Sequence, residues 1–327
     1  MTDIDVVTAG GDRPNHLHQP QQPDQRQRTK QSKRTKQAKQ TKKGAEAPGA
    51  QRQRRARMPL LTVLCIVWTV LIVGGALLAP LLPMPGYEEP IAGSAQAPFT
   101  DGGAAILGTD TIGRSILSRM IYGAQLSLLV AFMGTAIGLV VGALLGMAAA
   151  YYKGWSARVI TLLSDSVLAF PGLVLLLATA TIIPPSVASL SIILGVLTLP
   201  ASMRIAYSNT NAHLARDYVA AARALGMSGG RIILREILPN ILFSLAAFGF
   251  IMVGTFMVAL AALDFLGVGM PPPRPSWGGD IASGFASIRT RSYLVLVPSV
   301  FLVATVFSLN QIGDYLRDKA EGRGGQL

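Results

Sequence analysis

The sequence predicts an all-α, multipass membrane protein with six transmembrane helices and both termini in the cytoplasm. Three observations carry that prediction. Half of the 327 residues are hydrophobic and only 14% are charged, a composition too apolar for a soluble domain of this length. The apolar residues gather into runs near the roughly 20 residues that a helix needs to cross a bilayer. Of the 29 lysines and arginines, 14 fall before Pro59, and such a basic flank stays on the cytoplasmic side of the first span.

Residues 1–57 are rich in Gln, Lys, Arg and Pro and hold almost no large apolar side chains, so they predict a disordered basic cytoplasmic tail. Two readings of QRQRTKQSKRTKQAKQTKK stand side by side: attachment to anionic membrane lipid, worth about 1 kcal/mol per basic residue near the surface, or a solvated tail that enforces orientation. No aromatic residue is interleaved with the basic ones, which argues against nucleic acid as a partner.

Residues 58–106 hold the first span, Pro59 to Leu82, and an outer loop rich in Pro and Gly. That span exceeds the roughly 7–15-residue apolar core of a cleaved signal peptide, so it is expected to be retained. Residues 107–318 form the main transmembrane region. A short amphipathic helix is expected to end near Tyr122-Gly123, before a second span from Ala124 to Ala150. Gly134, Gly138, Gly142 and Gly146 recur every fourth residue there and form one small face for close helix packing. Tyr151 to Arg158 reads as a loop, and Val159 to Ile183 as the third span, which contains Asp165 and the pair Phe170-Pro171. Asp165 within it is either a functional acid or a residue near enough the interface to reach water or Arg158. The fourth span runs from Val187 to Tyr207, the fifth from Ile241 to Leu266 and the sixth from Tyr293 to Ile312; residues 319–327 read as a short cytoplasmic tail.

Between the fourth and fifth spans lies a polar two-helix segment, residues 216–240. Asp217 is the expected N-cap; Tyr218, Val219, Ala222 and Leu225 form an apolar stripe, and Gly226 supplies a left-handed C-cap. Ala220, Ala221 and Ala224 make the opposite face small enough for another surface to come close. Ser228 begins a second helix, and Pro239 starts the next apolar run.

In this segment the chain resembles the inner-membrane permease subunits of ATP-binding-cassette importers, through their EAA signature. The match rests on Ala220-Ala221-Ala222, Gly226 and Leu238-Pro239, with Ala220 in place of the signature's Glu and Glu236 in place of its Ile. Further likeness to the dipeptide, oligopeptide and nickel branch lies in Leu107-Gly108-Thr109-Asp110, in Ala169-Phe170-Pro171, in the PPPRPSWGGD stretch from Pro271 to Asp280, and in Gly313-Asp314-Tyr315-Leu316-Arg317-Asp318. The resemblance implies a type I importer permease of the C-type in the cytoplasmic membrane, moving di- or oligopeptides, with nickel or another small solute as the alternative cargo. It implies a second homologous permease, two ABC ATPase subunits and an extracytoplasmic substrate-binding protein as partners. Asp217, Tyr218, Ala220, Ala221, Ala222, Ala224, Leu225, Gly226 and Pro239 become the expected ATPase-coupling residues. ATP and Mg2+ would be used by the ATPases, with no cofactor on this chain.

The residues themselves exclude other classes. No Gly-Lys dipeptide occurs, so no Walker A loop is present, and His16, His18 and His213 lack metal-ligand spacing. The chain is therefore expected to be no enzyme. A secondary transporter or channel subunit is the reading from another class, but the spans carry hardly any mid-membrane charge to form an ion site. Arg114, Arg119, Arg274, Arg289 and Arg291 fall in outer segments. They are expected either to form a basic rim that docks the binding protein, or to meet headgroups and pair with Asp110 and Asp280. A truncation that removes the residues before Arg52 is expected to leave import intact, measured as solute uptake by cells carrying a correctly inserted variant; loss of uptake would give the tail a packed contact.

Overall fold

The computed structural model describes residues 58–100 and 105–324; the expected basic tail, residues 1–57, lies outside the described residues. These residues form nine helices, and five of the helical runs are long and apolar enough to cross a membrane. Helix α1 spans Leu60–Leu78 and passes into a 3-10 turn, Ala79–Leu81. Helix α2 spans Ile116–Tyr152, α3 Trp155–Leu168, α4 Gly172–Ile182 and α5 Val187–Leu214. Helix α6 is Asp217–Ala224 and α7 the run Gly229–Phe265; α8 is Trp277–Phe285 and α9 Tyr293–Gly324.

Four boundaries differ from the sequence-based expectation, each for a local reason. The short helix expected before the second span is continuous with it, because Gly123 keeps helical geometry beneath the ring of Trp277 instead of ending a turn. The third span is broken: α3 and α4 meet at an 80° bend at Ala169-Phe170-Pro171. Proline has no N–H to give the preceding turn and pushes the residue before it out of helical geometry, so the chain turns there. Pro239 does not begin a new element. It follows a π-helical turn, Ile232–Ile237, inside the continuous α7, and the wider turn accommodates the missing donor. Finally α5 and α9 run well past their apolar stretches, to Leu214 and Gly324, so most of the expected C-terminal tail is helix.

With α3 and α4 taken as one span, six runs among the described residues are long and apolar enough to cross a membrane. Residues 153–154 and 215–228 then lie at one end of the bundle, and residues 82–100 and 105–115 with α8 at the other. Helix α2 is the central element, packed along α5 and also touching α1 and α7; α9 lies against α7, α8 and α1. The four glycines of α2 are all buried in the α5 contact. A methyl group on Gly134 would strike Leu194 and the Ser191 carbonyl; on Gly138, the Gly195 carbonyl and Thr198; on Gly142, Ser202; on Gly146, the Met203 carbonyl. Ser202 Oγ donates to the Gly138 carbonyl at 2.9 Å, a bond possible only because the two backbones lie so close. Gly142→Leu is expected to destabilise the bundle by about 1–3 kcal/mol through overpacking, read as a lower melting temperature of the detergent-solubilised protein, while Leu at exposed Val140 is expected to leave it unchanged.

Candidate functional site

The polar segment between α5 and α7 forms a compact knob whose inner face belongs to the membrane core. Val219, Ala222, Ile232, Ile233 and Ile237 are buried with Ala143 and Met147 of α2, Ala206 of α5 and Ile241 and Leu245 of α7 in one apolar cluster. Helix α6 is only 8 residues long, too short to hold itself together in water, so this burial stabilises it.

The ends of α6 differ from one another. Asp217 is not the N-cap: Arg216 takes that position without a side-chain cap bond, and Asp217 is the first helical residue, where its charge favours the positive end of the helix dipole. At the other end the Gly226 N–H donates to the Arg223 carbonyl at 2.9 Å and the Met227 N–H to the Ala222 carbonyl at 3.1 Å, the paired bonds of a Schellman motif. Gly226 takes φ +77°, which the motif needs and which a side chain would strain.

Two aromatic contacts fix the knob to the helix ends beside it. The Tyr218 hydroxyl lies 2.8 Å from His213 Nδ1 at the end of α5, and burial pushes the Tyr218 phenol up from its usual range. The Arg223 guanidinium lies 5.3 Å from the Tyr151 ring centroid at the end of α2, a cation–π distance. The same ring backs onto Gly229, where a side chain would strike it.

What faces outward is small. Asp217, Ala220, Ala221, Arg223, Ala224 and Gly226 are exposed, while Val219 and Ala222 turn inward and Tyr218 is half-buried. Leu225 departs from the expected apolar stripe: it is 83% exposed, because the chain leaves helical geometry at that residue. Pro239, expected in the site, is exposed in the first turn after the π-helical turn and so joins the knob to α7.

The expected outer basic rim does not form as one surface. Arg119 is buried, its Nε 2.8 Å from Asp280 Oδ1 and its Nη2 on the same oxygen. Arg114 Nε donates to Asp110 Oδ2 at 2.6 Å, and Asp110 Oδ1 accepts from the backbone N–H groups of Ile112 and Arg114. Burial pushes the Asp280 carboxyl up to about 6 against the pull of Arg119. Arg274, Arg289 and Arg291 do stay exposed. Two of the five arginines are therefore internal: they tie the loop before α2 to α8, the pairing that the sequence left as the other alternative.

Helix α8 itself was missed by sequence reasoning, although SWGGD carried its signal. Ser276 caps it by accepting from the Gly279 N–H at 3.1 Å, and Trp277, wholly buried, donates from Nε1 to the Met120 carbonyl at 2.9 Å. Asp165 also finds a partner other than the expected Arg158: Arg204 of α5, at 2.5 Å. Among the described residues no group of three His, Cys, Asp or Glu side chains could hold a metal ion.

Residues 138–322 match a family described as the binding-protein-dependent transport system inner membrane component. The dipeptide transport system permease protein of Alkalihalophilus pseudofirmus is 34% identical over 266 residues, 81% of this chain and 86% of that protein. The di/tripeptide transport system permease protein of Pseudomonas aeruginosa is 34% identical over 257 residues, 77% of this chain and 85% of that one. The glutathione transport system permease protein of Pectobacterium atrosepticum is 32% identical over 212 residues, 65% of this chain and 70% of that one. Arg119→Ala is expected to leave Asp280 unpaired and cost about 3–5 kcal/mol, whereas Arg119→Met with Asp280→Leu is expected to cost much less; thermal unfolding of the solubilised variants measures the difference.

Proposed function

Since the chain belongs to the family of binding-protein-dependent transport system inner membrane components, we propose that it is the peptide-moving permease subunit of an importer, with residues 216–240 as the site where partner ATPases act. It is a membrane component and not itself an enzyme; a substrate-binding protein and an ATPase are its partners in transport. The names of its relatives, which transport dipeptides, di- and tripeptides and glutathione, support short peptides as cargo over nickel.

The single observation that carries the site is the two-faced packing of α6. Its outer face offers Ala220, Ala221 and Ala224, over which a partner surface can approach closely, and its inner face shares one apolar cluster with α2, α5 and α7. A displacement of α6 must therefore move the ends of three spanning helices or break that cluster. With Ala at position 220 the contact to the ATPase rests on shape and on Arg223 and Asp217, not on an acid at the head of the signature.

The proposed assembly contains a second homologous permease, two ATPase subunits and an extracytoplasmic binding protein. ATP and Mg2+ act in the ATPases, and this chain binds no cofactor. The N-terminus, residues 216–240 and the C-terminus face the cytoplasm, in keeping with Arg216, Arg223, Arg231 and Arg235 at one end of the bundle. Closure of the ATPases on ATP moves α6 and rocks the spans about a path shared by the two permeases.

The test is import and copurification in parallel. The wild-type chain is expected to bring its ATPase partners through purification and to support peptide uptake. Gly226→Val places a β-branched side chain at φ +77°, a strain of roughly 1–2 kcal/mol. It is expected to lower uptake at least tenfold while the protein stays in the membrane. Normal uptake by this variant would remove residues 216–240 from the coupling role.

A further inference from the structure

Asp165 and Arg204 form an ion pair between α3 and α5 whose side chains are 53% and 61% exposed. The other ion pairs among the described residues, made by Arg114, Arg119, Asp110 and Asp280, are 16% exposed or less. Arg204 lies well inside α5, and Asp165 stands in the last turn of α3, next to the break. Met203, beside Arg204, packs on Gly146 of α2 and takes a 3.5 Å contact from Ser164 Oγ, beside Asp165. Gly146 precedes the Tyr152 end of α2 by six residues, so the pair lies roughly 9 Å inside that end at 1.5 Å rise per residue. Ser164 and Met203 are buried; their charged neighbours therefore point away from the core of this chain.

Hydrocarbon does not tolerate that arrangement. Ionisable groups within spans face a bundle interior or a water-filled cavity, because lipid tails cannot solvate them. The same element supplies a second, independent observation. After the C-cap Ala169, the chain leaves helical geometry at Phe170 and Pro171, at the 80° bend, and all three residues are exposed. Irregular backbone at membrane depth persists only where protein or a water-filled cavity surrounds it. An exposed charge pair and an exposed helix break next to one another thus mark a surface that is not lipid-facing.

We propose that this face of α3 and α5, from Asp165 and Arg204 to the break at Ala169–Pro171, is one wall of the water-filled transport path, where the pair meets the charged ends of a passing peptide. The inference rests on the permease reading above and adds to it the residues that line the path. A peptide's ammonium group matches Asp165 and its carboxylate matches Arg204. Each charge on the wall already has its counter-ion, so the wall attracts a zwitterion without trapping an ion of one sign.

The test uses the assembled transporter in membrane vesicles, in a Cys65→Ala background that removes the one native cysteine, itself buried. Asp165→Cys and Arg204→Cys are each exposed to a membrane-impermeant maleimide with and without trapped ATP. Labelling is expected to change at least fivefold between the two states, and a transported dipeptide is expected to slow it. Equal labelling in both states would place the pair at the headgroup level and overturn the proposal. Labelling by a lipid-soluble maleimide alone would make the face lipid-exposed and overturn it equally. Phe170→Cys, at the break and outside the ion pair, gives the same reading should both charged-site variants fail to assemble. If the wild-type chain neither imports peptide nor retains its ATPases, the permease reading fails and this inference with it; if it does both and labelling is equal in the two states, only the assignment of this wall fails.

Discussion

The structure depends on how closely α2 and α5 approach. In lipid no hydrophobic effect drives helices together, because hydrocarbon solvates apolar side chains as well as another helix does. What remains is packing and hydrogen bonding between backbones. Gly134, Gly138, Gly142 and Gly146 supply both: without side chains they let α5 settle onto α2, and Ser202 reaches the Gly138 carbonyl across the gap. The other elements hang from this pair. Helix α3 packs on α5, α7 on α2, and the knob around α6 is rooted between the lower ends of both.

That root decides what the knob can do. A helix of 8 residues attached only by loops would swing freely, but α6 buries Val219 and Ala222 in a cluster shared with three spanning helices. The Schellman turn at Gly226 fixes where the chain leaves it, and Tyr218 with His213 and Arg223 with Tyr151 fix its sides. The knob is therefore packed as part of the bundle. The π-helical turn at Ile232–Ile237 lies where the knob joins the membrane part of α7, ending one residue short of Pro239.

Charge is handled in opposite ways at the α8 end and on the α3–α5 face. At the α8 end, Arg119, Asp280, Asp110 and Arg114 are drawn inside and paired with one another, which ties the loop after α1 to the helix before α9. On the α3–α5 face, Asp165 and Arg204 pair in the open. A buried ion pair loses solvation that its partner must replace, so the first arrangement demands a rigid local geometry. The second keeps part of its hydration, which suits a surface along which solute and water pass.

The sequence by itself determined the membrane class, the positions of the apolar runs, the glycine face of α2 and the turn at Gly226. These depend on composition, on period and on the conformational freedom of a single residue type, all local properties. Only the tertiary structure decided where helices end and which charges meet. Gly123 reads as a stop but lies under Trp277 in an unbroken helix, and Leu225 reads as core but faces solvent one residue past the end of α6. Arg119 and Asp280 stand 161 residues apart, and Asp165 and Arg204 39 apart. No period links such pairs. Their meeting follows from the packing of α8 on α2's neighbours and of α3 on α5, a long-range arrangement that no local property of the sequence encodes.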